Sequence, residues 1–163
     1  MSEQILMQPI VNINGDEKNL KAKKYLEQAR IYHERYLIRK DNADLQDAID
    51  YYIDAVKYDP TIPETYYRLA SLMWEQGQIS INAAIDQCKT AVSLAPNNMN
   101  AHMYAGFFMQ MADNYPEAID ELKSAVKSGK LKSARPRLVL SQALLQKIHS
   151  GDVKATDYVS FLY

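Results

Sequence analysis

The side chains that could perform chemistry are few: His33, His102, His149 and Cys88, with carboxylates scattered among them. Helix-borne zinc hydrolysis needs two imidazoles one turn apart with a glutamate between, since only that spacing aims both nitrogens at one ion. His33-Glu34 begins such a run, but no second histidine follows at the required place, and His102 and His149 lie far along the chain. Phosphate chemistry needs clustered glycines whose backbone amides can approach an anion, and the five glycines stand singly. No Gly-x-Ser-x-Gly elbow is present, so a serine nucleophile has no strained turn to expose it. Cys88 reads as a small buried hydrophobe. His102 reads as a packed imidazole, and the Asp47 and Asp50 pair as a solvated helix face. The expectation is a chain that is not an enzyme, with no catalytic residues, no metal and no cofactor.

The elements that carry these residues are periodic. Three segments place two alanines seven apart around a larger residue: Ala48-Tyr52-Ala55, Ala84-Cys88-Ala91 and Ala118-Leu122-Ala125. Their leading alanines are 36 (84 − 48) and 34 (118 − 84) residues apart, and Pro60 and Pro96 follow the first two sets at the same distance. Ahead of each lies an aromatic or His, then a small residue, then a large one: Tyr25-Ala29-Tyr32, Tyr66-Ala70-Met73 and His102-Gly106-Met109. Spacing of i, i+4, i+7 marks one helix face. Each unit is therefore a pair of antiparallel helices in which small residues admit close backbones and large ones fill the remaining space. Neither helix buries its stripe alone, so about three units must stack.

This arrangement resembles the tetratricopeptide repeat, most closely in the second unit, Tyr66-x-x-Leu69-Ala70-x-x-Met73 followed by Ala84, Cys88, Ala91 and Pro96. The third unit adds His102-x-x-Ala105-Gly106-x-x-Met109 and Asn114-Tyr115-Pro116-Glu117-Ala118-Ile119. The resemblance runs from Tyr25 to about Ala155. It implies an all-α, right-handed superhelix of antiparallel helix pairs, an α-solenoid of about three repeats plus a terminal partial unit. The expected divisions are an apolar N-terminal arm over 1–17, repeat 1 with an extended first helix over 18–60, repeat 2 over 61–97, and repeat 3 over 98–132. A partial fourth repeat or closing helices then occupy 133–163.

Boundary residues agree with this division. Thr61-x-x-Glu64 reads as a capping box with Pro63 in the first turn, and Asn97 and Asn98 can cap the next first helix. Pro60 and Pro96 end the helices before them, and Gly77, Gly129 and Gly151 fall at turns. Repeat 1 carries 19 residues (48 − 29) between its small residue and leading alanine, against 12 (118 − 106) in repeat 3. Seven surplus residues are two helical turns, which predicts a first helix from roughly Lys18 to Lys40 that projects beyond the stack before an Asp41–Asp44 turn. At the other end Leu140, Leu144, Ala155 and Val159 begin a fourth unit. Two readings compete there: the chain is the N-terminal piece of a longer protein, or it ends on a short closing helix.

In repeats of the resembled kind the first helix of each pair lines a concave groove that contacts partners. Carried over, these positions are Arg30 and His33 in unit 1, Tyr67, Ser71 and Trp74 in unit 2, and Met103, Phe107 and Gln110 in unit 3. Arg135, Leu138 and Gln142 follow in unit 4. The lining is apolar at its centre and cationic toward its ends. It suits an apolar or amphipathic segment with acidic flanks. Co-chaperones of similar fold grip acidic tails with Lys, Asn and Arg where Tyr67, Met103 and Phe107 stand here. Trp74 and Phe107 have a competing reading as core, and so does the groove as the seat of the chain's own arm, Ile5-Leu6-Met7 and Ile10-Val11-x-Ile13. That arm could equally pack on a second copy, giving self-association through residues 1–14.

Composition bounds the remaining possibilities. The chain has 163 residues, a 47% hydrophobic content, and 19 basic against 20 acidic side chains. A core is affordable, and there is no global pull toward nucleic acid or anionic lipid. One cysteine makes no internal disulfide, and no apolar run is long enough to span a bilayer, so a cytoplasmic setting is expected. Aspartates 41, 44, 47, 50, 54 and 59 crowd one region, and Lys123, Lys127, Lys130, Lys132, Arg135 and Arg137 another. The reading is a protein-interaction scaffold or adaptor with a protein or peptide partner and no membrane. Its rivals are a chaperone for a secreted or aggregation-prone client, and an RNA-binding helical repeat resting on the basic region alone.

Overall fold

A computed structural model of the chain describes residues 15–128 together with 142, 143 and 146. The regular structure among these is helical: α1 (Gly15–Arg39), α2 (Asn42–Tyr58), α3 (Pro63–Glu75), α4 (Ile81–Leu94), α5 (Met99–Met111) and α6 (Tyr115–Ser128). They fall into two compact units, one ending at Ile79 and the other starting at Ser80. The N-terminal arm, Gly129, Gly151, Arg135, Leu138 and nearly all of the fourth unit lie outside the described residues. From the last, Gln142, Ala143 and Gln146 are helical, with Ala143 buried.

The repeat phase read from the sequence is the phase of the core. All nine positions of the alanine pattern, from Ala48, Tyr52 and Ala55 to Ala118, Leu122 and Ala125, are 0% exposed. In the first unit α1 lies along α2, and α2 along α3. Leu26, Ala29, Tyr36, Leu45, Ala48, Ile49, Tyr52, Leu69, Leu72 and Met73 belong to one apolar cluster. Beside it Tyr25 stacks on Tyr58 and Tyr32 on Tyr51, each pair with ring centroids 5.3 Å apart. In the second unit α5 lies along α6, and α4 along α5.

Two helices approach closely at Gly106. A Cβ there would stand 2.6 Å from Leu122 Cγ and 3.0 Å from the Ala118 carbonyl oxygen, so only a glycine lets α5 seat on α6. Gly106→Ala gains about 1 kcal/mol of helix propensity but forces the helices apart at a cost of about 1–3 kcal/mol. The 2.6 Å approach puts the cost toward the upper end of that range, so a net loss of up to about 2 kcal/mol is expected in urea unfolding. An unchanged midpoint would show that the two helices separate freely.

The caps show what local sequence did and did not specify. Asn98 accepts from the Asn100 and Ala101 amides at 3.0 and 3.1 Å, as expected of a cap, and Ser80 and Asp41 cap α4 and α2. The Thr61-x-x-Glu64 capping box does not form. The N-cap of α3 is Ile62, which makes no side-chain cap; Thr61 turns back to Asp59 Oδ1, and Glu64 faces Arg30. Gly77, at φ 70°, closes α3: its amide donates to Trp74 O and that of Gln78 to Met73 O. Asp113, 36 residues later (113 − 77), takes the same left-handed place after α5 at φ 59°. Aspartate tolerates that conformation better than most residues.

The long first helix is present, but it does not extend alone. α1 runs ten residues past Ala29 (39 − 29), whereas α3 and α5 run five past Ala70 and Gly106 (75 − 70, 111 − 106). α2 starts six residues before Ala48 (48 − 42), whereas α4 and α6 start three before their leading alanines (84 − 81, 118 − 115). The surplus is thus divided between both arms of the hairpin. The expected Asp41–Asp44 turn shrinks to Lys40, at φ 55°, and Asp41. The physical reason lies in the added turns, which bury Tyr36 and Leu45 and pair Arg35 with Asp44 at 2.9 Å.

Candidate functional site

The positions singled out from the sequence sit on α1, α3 and α5. On the first unit Arg30 reaches from α1 to α3, where Nε and Nη2 meet the two Glu64 oxygens at 3.1 and 2.5 Å. This is a two-pronged pairing of guanidinium with carboxylate, and it pushes the already high Arg30 pKa further up. Further along the same helices the Tyr36 hydroxyl donates to Glu75 Oε1 at 2.5 Å, which pushes the phenol up to about 12. α1 is therefore fastened to α3 at two places, once by an ion pair and once by a hydroxyl-to-carboxylate hydrogen bond.

His33 lies between these fastenings and is buried. Its Nδ1 stands 3.4 Å from the Tyr52 hydroxyl, too long for a strong hydrogen bond, and the two rings meet edge to face. Burial, and next the Arg68 charge, lower its pKa to about 4, so the ring is neutral at ordinary pH. Tyr67 is also buried, with the Arg68 guanidinium 5.9 Å over its ring. Ser71 and Trp74 are half-buried.

On the second unit Met103 is buried, Gln110 is half-buried, and Phe107 is 39% exposed. Met111, one turn beyond Phe107 and 44% exposed, extends the apolar surface. The sequence reading had no place for Met111, although its i+4 spacing from Phe107 was visible. Gln110 Nε2 donates to Gln146 Oε1 at 2.6 Å, and Gln142 is exposed.

His102 is packed as the sequence suggested, with Nδ1 2.6 Å from Glu121 Oε2 and Nε2 2.7 Å from the Pro96 carbonyl oxygen. It holds the corner before α5 against α6. The Glu121 partner is not legible in the sequence, since it is 19 residues away in the chain (121 − 102). Cys88 is fully buried, and burial, followed by the Glu121 charge, pushes its thiol pKa up, which leaves no thiolate for chemistry. Among the described residues no three His, Cys, Asp or Glu side chains gather into a metal-binding group, and no helix is long and apolar enough to cross a membrane. The singled-out positions thus place exposed apolar Phe107 on α5 and, on α1, Arg30 already paired with Glu64 of α3.

No family model matches the chain. Solved structures do. The first TPR domain of Spaghetti (RPAP3), bound to the HSP90 peptide SRMEEVD, aligns over 78% of this chain and 95% of its own at 18% identity, with a TM-score of 0.66. The TPR domain of Sgt2 from Aspergillus fumigatus aligns over 90% of this chain and 85% of its own at 16% identity, with a TM-score of 0.67. The TPR2B domain of yeast Sti1, in a complex with pHsp70, aligns over 78% and 98% at 22% identity, with a TM-score of 0.62. The six described helices thus have a tetratricopeptide-repeat fold.

Proposed function

We propose that the chain is a protein-interaction module whose partner is an apolar or amphipathic segment rather than an acidic tail. The observation that carries this reading is the pair Phe107 and Met111, which leaves large apolar area exposed one turn apart on α5 beside Gln110. Exposed aromatic and methionine side chains are adaptable anchors whose burial supplies most of the energy of such contacts. On the first unit, Ser71 and half-buried Trp74 on α3 are proposed as contact positions in their own right, with buried Tyr67 packing α3, as Met103 packs α5 on the second unit. Where a carboxylate grip needs charge, Tyr67, Met103 and Phe107 offer none, which leaves Arg30 and His33 among the described contact positions. Arg30 is engaged by Glu64, and His33 is buried and neutral. The HSP90 peptide held by the Spaghetti domain ends in acidic residues, and a peptide of that kind would have to displace Glu64 here. Arg135 is proposed to contact the acidic flank of the partner.

A displayed library of random peptides selected on the full chain tests the proposal. Enriched sequences should carry apolar residues at i and i+4, and Phe107→Ser with Met111→Ser should weaken their binding at least tenfold, each anchor being worth about 1 kcal/mol or more. Enrichment of acidic C-termini, or SRMEEVD binding as tightly as the best selected peptide, would refute it.

A further inference from the structure

The outward face of α1 carries a second apolar stripe that the hairpin does not use. Four of the seven large hydrophobic side chains exposed among the described residues are on this one helix: Leu20 at 69%, Ile31 at 41%, Leu37 at 51% and Ile38 at 82%. The corresponding outward positions of α2 and α6 are polar, Gln46, Asp47 and Asp50 on one and Glu117, Asp120 and Lys127 on the other. At 100° per residue Leu20, Ile31 and Ile38 line up within about one side chain's width of each other, opposite Ala22, Leu26, Ala29, His33 and Tyr36, which face the core. Between them stand Lys24, Glu27 and Glu34, all exposed. The full series, Leu20, Lys24, Glu27, Ile31, Glu34, Ile38, steps by 4, 3, 4, 3 and 4, the spacing of a helix seam that pairs with another helix.

We infer that α1 is a self-association surface on which a second copy of this chain packs antiparallel, related by a two-fold axis that crosses the helix near Ala29. The series reads as its own complement in that direction. Leu20 meets the second copy's Ile38, Lys24 meets its Glu34, and Glu27 meets its Ile31, and the same contacts repeat on the other side of the axis. That is the requirement for an isologous interface, in which one patch must fit itself. A parallel pairing in register would instead set Lys24 on Lys24, Glu27 on Glu27 and Glu34 on Glu34, and the like charges exclude it. The charges therefore choose the direction, and the aliphatic side chains supply the attraction. With three apolar places of six in the seam, the pairing is a reversible one, filled by mass action as concentration rises.

Sedimentation equilibrium on the full chain, from low to high micromolar concentration, reads this directly. Wild type should shift from monomer to dimer, and Ile31→Glu should raise the dissociation constant at least tenfold. Ile38→Lys, at the most exposed position of the four, gives the same readout without approaching the core. Lys24→Glu and Glu34→Lys should each weaken pairing several-fold, and the two together should restore it, since the salt pair is rebuilt with its signs exchanged. Restoration supports the two-fold antiparallel register. A monomer at every concentration overturns the inference, and is the outcome expected if residues 1–14 or a different protein cover this face. A dimer indifferent to Ile31, Ile38 and the charge exchange overturns it as well.

Discussion

Tyr52→Ala is expected to lower the stability of the chain by about 3–5 kcal/mol, the range for truncating a fully buried aromatic. Tyr52 is 0% exposed and stands between the two alanines of α2 that let α1 and α3 approach, so its loss opens a cavity where the backbones cannot close in. The size of the ring, rather than its hydroxyl, carries the effect. The hydroxyl's neighbour, His33 Nδ1, is 3.4 Å away, and burial pushes the phenol pKa well above its usual value. Tyr52→Phe should therefore cost no more than about 1 kcal/mol, the worth of an ordinary hydrogen bond. Urea unfolding of the two variants beside wild type checks this. Equal losses in both would move the contribution from packing to the polar contact.

Acidification should destabilise the first unit through His33. Its folded-state pKa of about 4 lies below the unfolded value of 6.5, so the unfolded chain takes up the proton first. The stabilisation from the neutral ring is fully present above about pH 6.5 and is lost as pH falls toward 4. At 1.36 kcal/mol per unit the ceiling is about 3 kcal/mol, and between pH 7.5 and pH 5 the loss is about 2 kcal/mol. His33→Phe removes the titration and keeps a ring in the space. Unfolding free energies of wild type and variant at both pH values isolate His33 from His102 and His149. The variant should lose about 2 kcal/mol less than wild type over that interval. Parallel losses would mean that the imidazole is solvated in the folded state.

Much of the fold is legible in the sequence because its strongest constraint is local. The paired alanines of a second helix can be read directly, since a close helix crossing excludes anything larger at those two positions. Gly77 is legible for the same reason, as the turn after α3 demands a left-handed residue. Asp113, which does the same after α5, is not, because aspartate is equally at home elsewhere. The capping box fails for a longer-range reason. Thr61 has Asp59 two residues away, and Glu64 has the guanidinium of Arg30, which sequence places 34 residues distant.

The binding face is read less well than the fold. Met103 and Phe107 are one turn apart on α5, yet the first is buried and the second exposed, a distinction that depends on how neighbouring elements cover the helix. A repeat-derived position says where a side chain starts and not whether it reaches solvent. His33 and Arg30 show the other half of the difficulty. A sequence lists them as a titratable ring and a free cation, and packing turns one neutral and gives the other a carboxylate.

The distribution of the surplus residues in repeat 1 sets the height of one hairpin independently of the number of hairpins. Lengthening only one arm would have left a solitary rod with a wet, unsupported flank. Growth on both arms, ending in a two-residue link, behaves as a cassette at the tip: the phase of Ala29 against Ala48 is untouched, and a paired turn can be inserted or removed without re-indexing any layer below it.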